Sequence, residues 1–181
     1  MKSTDLRGEK MYTEPRVYVS DLAAYNSGVL HGCWIDVTQD LVDIQSEIQN
    51  LLKKSPVESA EEYAIHDYEG FGDCLVNEYS SILYVKELAS FIGEHGEVAG
   101  SVLSYFGGTL SDAKMAMEEG YSGCYESLAD FAEEITSQGV EVPESLAMYL
   151  DYERMGRDME LSGDIFTVQT AYNEVHVFWA N

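Results

Sequence analysis

Residues 16–52 read RVYVSDLAAYNSGVLHGCWIDVTQDLVDIQSEIQNLL. Weak alternation predicts a first strand at residues 16–19. After a turn at Asn26-Ser27-Gly28, the β-branched and aromatic run at residues 29–37 predicts a second strand. Thr38 then suits the N-cap of a helix. That helix is predicted by apolar side chains that recur at helical spacing: Leu41, Ile44, Ile48, Leu51 and Leu52. Two strands and a helix in one short stretch indicate a small α+β unit.

A third strand at Tyr63–Tyr68 completes the first α+β unit, which ends near Asn77. The middle of the chain, which follows this unit, is predicted to be helical. Apolar side chains at helical spacing then predict three helices, separated by glycines, at residues 80–92, 98–106 and 110–117. The expected fold class is therefore α+β, with small antiparallel sheets at both ends and a helical middle.

The last third of the chain combines two helices with a hairpin. Glu126–Thr136 is predicted to be an amphipathic helix, because its apolar and acidic side chains fall on opposite sides at helical spacing. Pro143 starts the next helix, a position that suits proline. Three side chains give that helix an apolar stripe: Leu146, Tyr149 and Leu150. Residues 165–170 and 174–179 predict a terminal hairpin.

The chain is strongly and unevenly acidic. It has 33 Asp and Glu against 10 Lys and Arg, a formal net charge of −23. Between Ser55 and Glu153 the imbalance is 21 acidic to two basic side chains. Self-repulsion of this size opposes a compact fold, so the charge indicates solubility, electrostatic steering or a cationic partner. The 45% hydrophobic content and the 13 tyrosines argue against a disordered acidic tail.

Several locations and partners are disfavoured by the same composition. Direct binding to nucleic acid needs clustered Lys and Arg, yet four of the ten basic residues lie in the first 16 positions. An anionic membrane surface is disfavoured for the same reason, and no apolar run approaches the ~20 residues of a membrane span. Residues 1–15, predicted to be a flexible leader, lack the apolar core of a signal peptide. We therefore expect a cytoplasmic protein.

No sequence pattern predicts catalysis. The four histidines are scattered, and the chain has no GxSxG, P-loop, HExxH or GxGxxG motif. The three cysteines are far apart and form no CxxC, so reduced thiols are expected. The run DYEGFGDCLVNE, from Asp67 to Glu78, partly matches a calcium-binding loop. Phe71 stands at a ligand position, however, which favours a strand followed by a glycine turn. We expect no enzymatic activity, no metal and no cofactor.

The acidic helix faces are the strongest functional signal. In residues 126–134 four carboxylates span eight residues, or about 12 Å of helix at about 1.5 Å per residue. That interval of roughly 3–4 Å is close to the ~3.4 Å between phosphates along one DNA strand. A rigid array at phosphate spacing fits a groove that evolved to bind DNA. Arg154 and Arg157, in contrast, are expected to form only local ion pairs with acidic neighbours at helical spacing: Asp151, Glu153 and Asp158.

Three segments of the chain carry a family resemblance. They are VYVSDLAAYNSGVLHGCWIDV at residues 17–37, EEYAIHDYEGF with the following NEYSSI, and VPESLAMYLDYERMGRDMELSG at Val142–Gly163. On these residues the chain resembles the ArdA antirestriction family. Members of this family are DNA-mimic inhibitors of type I restriction–modification enzymes, and the inhibitors are carried by mobile genetic elements. The third segment is the most specific, because it is similar to a C-terminal signature of VP, YxDY, a small residue, RD and L. The signature residues are Pro143, Tyr149, Asp151, Tyr152, Arg157 and Asp158.

The resemblance implies an elongated three-domain protein, with domains at residues 16–78, 79–121 and 122–181, that forms a homodimer through the last of them. It also implies a mechanism, in which the dimer occupies the DNA channel of the methyltransferase core and competitively blocks restriction. Twelve carboxylates, called the acidic set below, are expected to face this partner: Asp67, Glu69, Glu118, Glu119, Glu126, Asp130, Glu133, Glu134, Glu141, Glu144, Asp151 and Glu153.

Two other classes of function stay open from composition alone. The first is an acidic inhibitor or adaptor of another basic protein, such as a nuclease or a DNA-packaging protein. Only the signature segment separates it from antirestriction. The second is an enzyme from a salt-adapted source, which would carry acidic residues over its whole surface and a recognisable catalytic constellation. The concentration of acidic residues after Ser55 argues against that class.

Overall fold

The computed structural model describes residues 14–180, which divide into two compact units between Ser90 and Phe91. They are called unit 1 and unit 2 below. In the described residues there are eight α-helices, one π-helical turn and six strands in two antiparallel sheets. The predicted α+β class is therefore confirmed, with one three-stranded sheet toward each end of the sequence and helices between. The leader predicted at residues 1–15 lies outside the described residues, except for Glu14 and Pro15.

Unit 1 is built on a sheet with the strand order β2-β1-β3. Its complete elements are β1 (Arg16–Asp21), α1 (Leu22–Asn26), β2 (Gly32–Asp36), α2 (Leu41–Lys53) and β3 (Tyr63–Glu69). Val17 and Val19 on the central strand are fully buried, as is Ile44 on α2. The core of unit 1 thus forms where α2 covers one face of the sheet, because its apolar stripe has the helical period that the sequence predicted.

Three details of unit 1 differ from the sequence prediction. Asp40, not Thr38, is the N-cap of α2, because the Asp36 carboxylate accepts hydrogen bonds from both the amide and the hydroxyl of Thr38. The second strand begins only at Gly32. The short helix α1 was not predicted. The buried Asp21 carboxylate stabilises it by accepting the amide hydrogens of its first turn, as an N-cap does.

Unit 2 contains the second sheet, in which β6 lies between β4 and β5. The division between the units falls inside α3 (Ile82–His95). Unit 2 then continues with α4 (Glu97–Tyr105), α5 (Leu110–Met115), the π turn (Ala116–Gly120), β4 (Tyr121–Tyr125), α6 (Leu128–Gly139), α7 (Glu144–Ala147), α8 (Tyr152–Ser162), β5 (Ile165–Ala171) and β6 (Glu174–Trp179). The predicted hairpin is confirmed as β5 and β6. Phe131, Ile165 and Val177 form a buried core between α6 and the sheet.

The helix boundaries of unit 2 differ from the prediction at several glycines and caps. α3 continues through the exposed Gly93, and the chain turns instead at Gly96, whose φ of 60° suits glycine. The third predicted middle helix ends at Met115 and passes into the π turn. Pro143 is the N-cap of α7 rather than its first helical residue, and α7 spans only four residues. The side chains predicted to form its apolar stripe are exposed, and two of them follow the end of α7: Leu146, Tyr149 and Leu150.

Candidate partner-binding surface

Negative charge is concentrated in unit 2. Residues 91–181 contain 17 Asp and Glu against three Lys and Arg, a formal net charge of −14. Residues 1–90 contain 16 acidic and seven basic side chains, a formal net charge of −9. Unit 2 is therefore the part of the chain with the larger attraction for a cationic partner.

Helix α6 presents the clearest acidic face of unit 2. It packs Phe131 and Ala132 into the core, and helical geometry turns Asp130, Glu133 and Glu134 outward, where all three are exposed. These three side chains are called the α6 carboxylates below. Within residues 14–180 no Lys, Arg or His forms a salt bridge with any of them. Among the described residues, the face therefore carries three formal negative charges with no cation paired to them.

The N-terminus of α6 corrects one member of the predicted array. Ser127 is the N-cap, and its hydroxyl accepts the Asp130 amide hydrogen at 3.3 Å and donates to the Asp130 carboxylate at 2.6 Å. Glu126 therefore lies on a bend before the helix and does not belong to its regular face. The spacing Ser127-x-x-Asp130 is a known N-terminal capping pattern, and it was the sequence signal that would have placed this boundary correctly.

Neutral donors hold the end of the α6 face. One oxygen of the Glu134 carboxylate lies 3.4 Å from the hydroxyl of Tyr125 on β4 and 3.1 Å from the side-chain amide of Gln138. Both contacts restrict the rotamers of Glu134 without cancelling its charge. The Glu134 carboxylate is thus held in place by its own unit while it stays available to a cation.

Helix α8 is less negative than α6 because two arginines lie on it. Arg154 pairs with Asp158 at 3.6 Å and Arg157 pairs with Glu153 at 3.3 Å, which confirms the predicted local ion pairs. Asp151 forms no such pair in the described residues; it is the N-cap and accepts the Arg154 amide hydrogen at 3.0 Å. Exposed pairs of this kind each contribute about 0–1 kcal/mol, so their main effect here is to lower the charge of α8.

The other members of the acidic set are dispersed. Asp67 and Glu69 lie on β3 in unit 1, where Glu69 is half-buried and pairs with Arg16 at 2.6 Å. The remaining members lie in unit 2 and are all exposed: Glu118 and Glu119 in the π turn, Glu126 on the bend, Glu141 in the loop before α7, Glu144 on α7, and Asp151 and Glu153 at the start of α8. Of the whole acidic set, the structure brings three onto one helix face, and these are the α6 carboxylates.

The signature segment has mainly structural roles. Pro143 and Asp151 are N-caps, Tyr152 is the first residue of α8, and Arg157 and Asp158 take part in its ion pairs. The small residue of the signature is Gly156, which is buried where α8 crosses α6. A Cβ atom at this position would lie 2.6 Å from the carbonyl oxygen of Leu128, so only glycine allows this approach. Tyr149, in contrast, is 77% exposed.

A hydrogen-bonded chain crosses one face of the second sheet. The hydroxyl of Thr170 donates to the Glu174 carboxylate at 3.0 Å and lies 3.1 Å from Nε2 of His176, while the Tyr121 hydroxyl lies 2.8 Å from Nδ1. This arrangement fits a neutral imidazole that donates from Nε2 and accepts at Nδ1. Burial lowers the pKa of His176, against a smaller opposing effect of Glu174. His176 is therefore uncharged at neutral pH, and its imidazole joins β4 and β5 through hydrogen bonds.

The described residues offer little for metal or membrane chemistry. No group of three or more His, Cys, Asp or Glu in residues 14–180 could hold a metal ion. The partial calcium-loop match at Asp67 folds as the expected strand and glycine turn, with Gly70 and Gly72 at positive φ. None of the helices in the described part of the chain combines the length and hydropathy that crossing a bilayer requires. All three cysteines are free thiols.

Comparison with known proteins assigns the chain to a family. A family model described as antirestriction protein (ArdA) matches residues 17–174, which covers both units and the signature segment. No curated protein matches the chain. The family consists of inhibitor proteins rather than enzymes. Because the match covers most of the sequence, the chain belongs to the ArdA family of antirestriction proteins.

Proposed function

We propose that this antirestriction protein acts as an acidic DNA mimic that occupies the DNA channel of the methyltransferase core of type I restriction–modification enzymes. The observation that carries the proposal is the α6 face: three carboxylates on one helix, with no cation paired to them among residues 14–180. A helix holds these charges at fixed positions, as a sugar–phosphate backbone does. An ordinary soluble surface interleaves both signs of charge instead.

The spacing of the α6 carboxylates supports this comparison. From Asp130 to Glu134 the helix rises about 6 Å, at about 1.5 Å per residue. Three charges over that length give a mean interval of about 3 Å, close to the ~3.4 Å between phosphates along one DNA strand. The absence of Glu126 from the helix shortens the array, and the mean interval of the remaining three charges stays close to the spacing of phosphates.

The proposed mechanism is competition without chemistry. Attraction between opposite potentials increases the rate of encounter with a basic channel, and many separate charge pairs then hold the mimic there. No bond is made or broken. Since the channel is denied to DNA, cleavage fails, and methylation by the same core can fail as well. The proposal includes a cytoplasmic location for the inhibitor and its target.

The same proposal includes a homodimer of three-domain protomers, with domains at residues 16–78, 79–121 and 122–181. Because each protomer has a formal net charge of −23, association between two copies must come from apolar burial rather than charge. An apolar cluster that we call the α7 patch supports this contact. Its side chains are 55%, 79% and 77% exposed: Leu146, Met148 and Tyr149. Exposed apolar clusters of this kind mark interaction sites.

We expect Met148→Asp to weaken dimerisation at least about tenfold, since it places a charge in the apolar contact between two already negative chains. Sedimentation equilibrium would measure the dimer dissociation constant. Leu161→Asp is the matched control, because Leu161 is 78% exposed on α8, in the same unit but outside the α7 patch. A wild-type protein that stays monomeric at high concentration, or an equal effect of both substitutions, would contradict the α7 patch as the dimer contact.

The mimic proposal is tested by competition for a type I methyltransferase core. We expect the inhibitor to displace a fluorescent DNA duplex, and its affinity to fall at least about 100-fold between about 50 and 200 mM salt, as DNA affinity does. A flat salt dependence would exclude an electrostatic mimic. Failure to displace DNA from several type I enzymes, together with tight binding to another basic protein, would favour the alternative of an acidic inhibitor or adaptor with a different target.

A further inference from the structure

Unit 2 contains a cavity of about 290 Å³ that none of the functions above uses. It is half open to solvent and is lined by side chains from α4, α5, β5 and β6 and from the residues beside them. The principal lining side chains are Tyr105, Phe106, Asp112, Met115, Phe166 and Trp179. The site combines four aromatic rings with one carboxylate in a single concave surface.

The aromatic wall of the cavity is rigid. The Tyr105 and Phe166 rings stack at 4.3 Å with 12° between their planes, and Phe178 stacks on Phe166 at 4.7 Å. The rings of Phe106 and Phe166 meet edge to face at 5.6 Å. Tyr105 is nevertheless 54% exposed and Trp179 is 41% exposed, so both rings keep surface that a ligand can cover. Such preorganised rings lose little entropy on binding.

A carboxylate stands beside these rings. Asp112 and Met115 are three residues apart on α5, and both line the cavity. The Asp112 side chain is exposed, and one of its oxygens lies 3.3 Å from the hydroxyl of Ser111.

The geometry points to a binding site for the guanidinium group of an arginine side chain of the partner protein. Aromatic faces attract cations, and guanidinium stacks on rings better than ammonium because it is planar and more weakly hydrated. Asp112 and the net charge of −14 of unit 2 favour a cationic side chain over a neutral apolar one. The chain already contains one such contact in unit 1, where the Arg16 guanidinium lies 4.8 Å from the centre of the Trp34 ring.

This contact would give the inhibitor an aromatic binding site for arginine, which the DNA backbone lacks. The assignment of the arginine to a restriction enzyme rests on the proposed function, whereas the ligand chemistry of the cavity does not. A guanidinium that covers an aromatic face is partly shielded from water and salt, so its attraction is screened less than that of exposed charge pairs. The cavity therefore adds a contribution to the affinity that salt weakens less than it weakens the exposed charge pairs, while the affinity as a whole still falls as salt rises.

The cavity is tested with N-acetyl-arginine methylamide and its neutral analogue N-acetyl-citrulline methylamide, which has nearly the same shape. The probes are titrated into the intact protein at physiological salt while the indole N–H signals of the two tryptophans are followed by NMR. Trp34 is the internal control. We expect a saturable shift of the Trp179 signal and binding of the arginine probe at least about fivefold tighter than that of the citrulline probe. Equal affinity for both probes, or no saturable shift, would overturn the proposal.

Two variants separate the cavity from the general field of the acidic protein. Asp112→Asn is expected to weaken the arginine probe about two- to fivefold. Glu94→Gln removes the same charge from α3 in unit 2, outside both the cavity and the acidic set, and is expected to leave probe affinity unchanged. Equal losses in the two variants would show that only net charge attracts the probe and would refute the site. Probe binding without any inhibition of a type I enzyme would retain the cavity and reject the proposed function.

Discussion

Neutralising the three α6 carboxylates together, as Asp130→Asn, Glu133→Gln and Glu134→Gln, is expected to weaken displacement of DNA from a type I methyltransferase core at least about tenfold, while each single change costs less than about fivefold. Exposed charge pairs contribute about 0.2–1 kcal/mol each, so one loss is small and three losses multiply. The variants would be compared with the wild type by DNA competition at fixed salt.

The matched control for this triple variant removes an equal charge from unit 1. Glu58, Glu61 and Glu62 are exposed and lie outside the acidic set, so their replacement by Gln changes net charge without touching α6. Asn at position 130 can still accept the Ser127 hydroxyl, and thermal unfolding would check that α6 remains folded. An equal loss in both triple variants would mean that bulk charge, not the α6 face, drives binding. If the α6 triple variant displaced DNA as well as the wild type does, the α6 face would not be part of the interface.

The strands were predicted well where turn signals bound them. β1 has a weak alternation, β3 is a short run with aromatic and β-branched residues that ends at a glycine turn, and the β5–β6 hairpin joins two such runs. The N-termini of the helices were less predictable, because several neighbouring polar residues can each serve as the N-cap. Glu126 looked like part of α6 by charge alone, yet Ser127 caps the helix because its hydroxyl reaches the Asp130 amide.

Features made by residues distant in sequence could not be predicted from local pattern. The aromatic cavity brings Tyr105 beside Phe166 and Trp179, which lie on elements separated by the whole of α6 and α8. Nor did the apolar spacing of Leu146 and Tyr149 distinguish a buried stripe from an exposed patch, since the same residues serve either purpose. Composition, by comparison, revealed the acidic character of the surface directly, because charged side chains are mostly exposed.

The family signature contains one position with a large expected effect on stability. Gly156→Ala is expected to lower the free energy of unfolding by roughly 1–3 kcal/mol, since overpacking a close helix contact costs about that much. A Cβ atom there would lie 2.6 Å from the carbonyl oxygen and 2.9 Å from the Cβ atom of Leu128. Chemical denaturation followed by tryptophan fluorescence would measure the change, with Trp179 reporting on unit 2.

Gly93→Ala is the control, because we expect it to raise the free energy of unfolding. Gly93 is exposed inside α3, and a Cβ atom there would meet no atom within 4 Å. In such a place alanine is better than glycine by up to about 1 kcal/mol, because it restricts the unfolded chain and favours the helix. The two substitutions are chemically identical, so a difference in sign between them isolates the steric contact from helix propensity.

The contrast also decides what the small residue of the signature is for. A side chain at position 156 of α8 would prevent the close approach of α8 to α6. Leu128, the first residue of α6, cannot move away, because Phe131 and Ala132 of the same helix are fixed in the core. A destabilised Gly156→Ala that still inhibits well below its melting temperature would assign the glycine to packing, with the partner contact carried by the neighbouring acidic face. A variant as stable as the wild type would show instead that the two helices can separate at little cost, and the position of the α6 carboxylates would then not depend on α8.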